Sequence, residues 1–205
     1  MLRAPSRWSG ALVVAGVLCL GTAGCSAPGS EVRVTAGFAS SGTPYGALLP
    51  RYTRSAELYE GFDTVAKGWA TWRAPELRAA LAETAIASYG LVGEPADRIR
   101  RDEERAARRV REFHLALYTG KSGWSDLESP DSLWRASLEL PSGEKLGPIQ
   151  IVRLAKTDRS AVEYPYVTRW TREYSIFFPT IPESQEEKGV TLSLSGPLGT
   201  MTFPF

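Results

Sequence analysis

The chain carries few residues that could do chemistry, and their spacing narrows the options further. His114 is the only histidine, which removes multi-histidine metal centres and leaves one imidazole as a possible general base. It follows Phe113 on a stretch that reads as helical, with no Gly-x-Ser-x-Gly elbow and no cysteine beyond Cys19 and Cys25 to act as nucleophile. A structural histidine is the expectation. Gly120-Lys121-Ser122 copies the end of a phosphate-binding loop, but Leu115 stands where that motif needs its first glycine, so the segment reads as a turn. Asp126, Glu128 and Asp131 crowd one loop without the spacing of a defined calcium site, and surface turns favour Asp for its bonds to the local backbone. No metal and no cofactor are expected.

Two further groups could bind rather than react. Arg98, Arg100, Arg101, Arg105, Arg108, Arg109 and Arg111 make a basic run, yet Asp97 and Glu104 sit four residues before Arg101 and Arg108, as on a solvated helix face. With 24 Lys and Arg against 23 Asp and Glu, no overall field draws nucleic acid, which is not an expected partner. Tyr164, Tyr166, Trp170 and Tyr174 cluster around Pro165 with Arg169 and Arg172 between them. They form a possible binding surface for sugar or peptide, or else strand residues of a small core.

The N-terminus gives an address. Arg3 and Arg7 precede an apolar run from Ala11 to Leu20, which passes through Gly21, Thr22, Ala23 and Gly24 to Cys25. The run is shorter than the roughly 20 apolar residues a spanning helix needs. Ala23-Gly24-Cys25 resembles the lipobox of bacterial lipoproteins, with Thr22 where Leu is usual. The resemblance implies diacylglycerol on the Cys25 sulfur, cleavage before it, and a membrane as partner through that lipid. By the same resemblance Ser26, in place of Asp, favours the outer membrane over the inner. Loss of the leader removes Cys19, so no pair remains for an internal disulfide.

The elements that must position these groups follow from periodicity. Residues 25–50, rich in Gly, Ser, Ala, Thr and Pro, read as a flexible tether after a signal peptide at 1–24. Val32 and Val34 could hide a short strand there. Leu58, Phe62, Val65, Trp69 and Trp72 recur at helical steps; a second helix runs from Pro75 to Gly90; a third runs from Pro95 through Phe113 and Leu117 to Gly120. From Trp134 the period is two, with strands at Trp134–Leu140, Ile149–Leu154, Tyr174–Phe178, Val190–Leu194 and Thr200–Phe205, the last two joined at Gly196-Pro197-Leu198-Gly199. The expected fold is therefore α+β, an N-terminal three-helix unit at 51–122 followed by a small antiparallel β-sandwich at 123–205. The expected function is a non-enzymatic, lipid-anchored envelope module that binds a protein or glycan. The alternative is an enzyme or small-ligand binder with its site between the helical unit and the sheet.

Overall fold

The structure, a computed structural model, describes residues 39–40, 42–186 and 188–205. The leader, Cys25 and the Val32–Val34 segment lie outside them. The first expected helix is a hairpin. Strands β1 (Thr53–Glu60) and β2 (Asp63–Trp72) pair antiparallel and close at Glu60↔Asp63 over the two-residue loop Gly61-Phe62. Gly61 takes φ 61°, the positive value that the tight turns of two-residue hairpins require. The helical spacing misleads because β2 turns Ala66, Gly68, Ala70 and Trp72 to the core, and three of these are small. Small residues are required there. A Cβ on Gly68 would lie 2.8 Å from the Phe203 ring.

Helix α1 (Pro44–Leu48) precedes this hairpin and starts at Thr43, whose hydroxyl accepts from the Gly46 N–H at 2.9 Å. Helix α2 (Pro75–Tyr89) runs between the expected punctuation, Pro75 in its first turn and Gly90 in the left-handed conformation just past its end. Helix α3 (Glu94–Arg109) stops eight residues before Leu117. Val110 is already extended, and Arg111–Thr119 forms strand β3. Both faces of β3 are covered, so Phe113, Leu115 and Leu117 alternate with Glu112, His114 and Ala116 and all six are buried. The polar residues of its second face are buried by partners distant in the chain, Glu112 by Arg78 and His114 by Glu173 and Tyr164.

The remaining elements are β4 (Arg135–Glu139), β5 (Lys145–Leu146), β6 (Gln150–Leu154), α4 (Asp158–Glu163), β7 (Arg172–Phe178), α5 (Glu183–Glu186), β8 (Thr191–Gly196) and β9 (Gly199–Pro204). One antiparallel sheet has the order β1-β2-β3-β7-β6 and the other β5-β4-β8-β9. The expected three-helix unit followed by one sandwich is thus overturned by an interleaved order of helix, two strands, two helices and strand, with two separate sheets. The late strands, including the hairpin at Gly196↔Gly199, fall where the alternation puts them.

The two sheets pack face to face around Phe113, Leu115, Leu117, Tyr174, Ile176 and Phe178 from one side and Leu138, Leu192, Leu194, Met201 and Phe203 from the other. Burying each such side chain stabilises by roughly 1.5–3 kcal/mol. On its opposite face the five-stranded sheet carries α1, α2 and the segment around Tyr164. These are joined by a second apolar cluster of Tyr45, Leu49, Leu77, Leu81 and Tyr164. No helix of the described residues is long and apolar enough to cross a membrane.

Candidate functional site

The helical face of the central sheet is polar where it is buried deepest. Register sets Thr71, His114 and Ser175 in one row across β2, β3 and β7, and Trp69, Ala116 and Glu173 in the next. Beside the first row, Glu112 receives hydrogen bonds from Ser175 Oγ at 2.8 Å, from Arg73 at 3.4 Å and, more closely, from Arg78. Arg78, 3 % exposed, also donates to Glu103 at 2.7 Å and to the Arg73 carbonyl at 3.0 Å. Burial pushes the Glu112 carboxyl up, but Arg73, Arg78 and the Ser175 hydroxyl together hold it below the usual range.

His114 lies against this network with its ring parallel to Tyr164, 3.6 Å between centroids. Nε2 faces Glu173 Oε2 at 3.2 Å and Nδ1 faces the Tyr166 hydroxyl at 3.1 Å; Tyr166 in turn meets Thr71 Oγ1 at 2.6 Å. A carboxylate only accepts, so the neutral ring donates through Nε2–H and takes the Tyr166 proton at Nδ1. Burial lowers the pKa of His114 and the Glu173 charge opposes that shift only in part; burial also pushes Tyr164 up to about 12. The lowered imidazole has a stability consequence. The unfolded chain binds the proton more readily, so His114 contributes fully above its ordinary value of 6.5 and loses that contribution as pH falls below it. Denaturant titrations should give a flat stability above this point and a decline below it, and His114→Gln should remove that segment of the slope. An identical slope in the variant would assign it to other groups.

Next to this buried network the cover stops short of the sheet's end. The row beyond Trp69 and Ala116 holds Lys67 opposite Tyr118, and the 168–171 turn stands at its rim. Two hollows of about 450 and 430 Å³ result, and Tyr118, Trp170 and Thr171 line both. Trp69 and Thr168 complete the first; Thr119, Ser122, Ser125, Lys156, Arg169 and Arg172 belong to the second. The Trp170 ring is 66 % exposed. Trp69 is stacked from behind by Tyr166 at 6.2 Å and 8°. Lys156 donates to the Thr168 and Arg169 carbonyls at 3.2 and 2.5 Å, and Thr171 Oγ1 to the Thr168 carbonyl at 2.9 Å, so the turn that presents Trp170 is tied on both sides. The arrangement can hold a flat, hydroxyl-bearing molecule against the exposed Trp170 ring.

The four aromatics singled out in the sequence are divided among three environments. Tyr164 is buried under the helices, Tyr174 is fully buried between the sheets, Tyr166 is half-buried behind Trp69, and Trp170 alone stands in the groove. Trp69 and Tyr118 were hidden by the helical reading of their segments; the aromatic and β-branched content of Thr64–Trp72 is the signal that points to a strand. Gly120-Lys121-Ser122 is a turn at the groove's edge, with Lys121 over the Trp124 ring at 4.7 Å. Asp126 accepts from Ser132 Oγ at 2.9 Å and Glu128 pairs with Arg153 at 3.3 Å. Cys25 lies outside the described residues. Comparison with family models, curated proteins and solved structures gives no match.

Proposed function

We propose that this protein is a non-enzymatic binding module of the cell envelope, held at a membrane, the outer one by preference, through lipid on Cys25, and that the Trp69–Tyr118–Trp170 groove takes a saccharide chain. The observation that carries the reading is the exposed Trp170 ring beside Trp69 and Tyr118, with the polar groups of Ser122, Lys156, Arg169 and Arg172 at the margin. The C–H face of a sugar ring stacks on an aromatic face while its hydroxyls need donors and acceptors at the margin, and the groove offers both. The tied turn keeps Trp170 in place before binding, which lowers the ordering cost. A catalytic reading would need His114 open to a substrate. It is 2 % exposed, and both ring nitrogens are engaged by protein.

The test is intrinsic tryptophan fluorescence and calorimetry on the folded protein with a panel of neutral and acidic hexasaccharides. At least one should bind with a Kd below about 1 mM. Trp170→Ala should weaken it roughly ten- to a hundredfold, as loss of about 1.5–3 kcal/mol of covered apolar surface implies, with an unchanged melting temperature because the ring is exposed. A panel without a binder, or full affinity in the variant, would overturn the proposal.

A further inference from the structure

The charge around the groove is uneven in a way the nearly neutral composition conceals. Along α3, Arg98, Arg100, Arg101, Arg105 and Arg108 each lie within ion-pair distance of a carboxylate. At the second hollow the opposite holds. Lys156, Arg169 and Arg172 line it, no Asp or Glu of the described residues does, and none of the three has a carboxylate partner among those residues. Cations left unneutralised on one wall of a cleft focus a positive potential there.

We infer that the saccharide bound in this groove carries carboxylates, and that Arg169 and Arg172, with Lys156, form the subsite that receives them; the inference rests on the reading of the groove as a saccharide site. The Arg169 guanidinium lies over the Trp170 ring, 4.6 Å from its centroid. A sugar stacked beside it would bring an equatorial carboxylate toward a planar fork of donors that matches carboxylate geometry. Lys156 spends two of its three N–H groups on the turn carbonyls and keeps one for a ligand. An anionic bilayer is the less suitable partner. The cations line a hollow, and the fully exposed Phe62 on the β1–β2 loop is flanked by Glu60 and Asp63, which a negative surface would repel.

The deciding experiment compares hexagalacturonate with the same hexamer methyl-esterified, titrated into the folded protein at about 50 mM and about 500 mM salt. The acid should bind at least tenfold more tightly than the ester at low salt, and the gap should narrow at high salt. Arg169→Gln combined with Arg172→Gln should bring the acid down to the ester. Equal binding of acid and ester by the unaltered protein would overturn the inference while leaving the saccharide groove standing, and a gap that survives the double substitution would remove these arginines from it. If neither hexamer binds and vesicles of phosphatidylglycerol do, through the same arginines, both the inference and the groove reading fall.

Discussion

Arg78→Ala is expected to destabilise the protein by about 3–5 kcal/mol, the cost of leaving one member of a buried ion pair without its partner. Arg78 has almost no exposure and joins Glu112, Glu103 and the Arg73 carbonyl, so its loss strands Glu112 with Ser175 and the more distant Arg73. Arg78→Lys should recover only part of this, because one ammonium cannot span the acceptors that a guanidinium fork reaches. The pair's own worth is smaller than the loss on breaking it, so Arg78→Met with Glu112→Gln should be less destabilised than Arg78→Ala alone. The acid limb should move as well. The Glu112 carboxyl, held below its ordinary 4.5 in the folded state, contributes stability above that value and loses it as pH falls through the folded one. Without Arg78 the folded value rises, so acid unfolding should begin at higher pH. Urea midpoints across pH would test this; an unchanged midpoint for Arg78→Ala would mean that the network contributes nothing net.

The second large effect concerns anchoring. Cys25→Ser should abolish incorporation of labelled fatty acid and move the protein from the membrane fraction to the soluble one. Each buried CH₂ contributes roughly 0.8 kcal/mol, so two or three acyl chains hold a protein firmly where one holds it marginally. Loss of all of them leaves no comparable attachment, and partition should change almost completely. Retention of Cys25→Ser on membranes with no acyl label would sink the lipoprotein reading and point to attachment through the folded domain.

What the sequence reveals of the fold depends on whether local cues and tertiary demands agree. At α2 they do, since Pro75 and Gly90 start and stop the helix by backbone restriction alone. At the β8–β9 hairpin they do again, because one face is apolar and the glycines mark the turn. In β2 they conflict. Its core face carries Ala66, Gly68 and Ala70, with no room for a side chain at Gly68 below Phe203, so the large residues Val65, Trp69 and Trp72 happen to repeat at helical intervals. In β3 the second face is buried against partners distant in the chain, with His114 meeting Glu173 from 59 residues away, and no local window contains that information. The groove was legible only through Trp170 and its flanking arginines. Trp69, Tyr118 and Lys156 join it through strand register and loop closure, which appear only when the chain is folded.

The segment from Tyr164 to Thr171 has an inner half and an outer half. Tyr164 and Tyr166 are locked into the layer beneath, while Thr168, Arg169 and Trp170 face outward and touch little that the scaffold depends on. If Trp170 takes a saccharide as proposed, recognition and folding fall to different residues of one short loop. Descendants of this chain could exchange Thr168, Arg169 and Trp170 and acquire a new ligand without renegotiating the sheet, so the groove is the place where relatives sharing this architecture would be free to diverge.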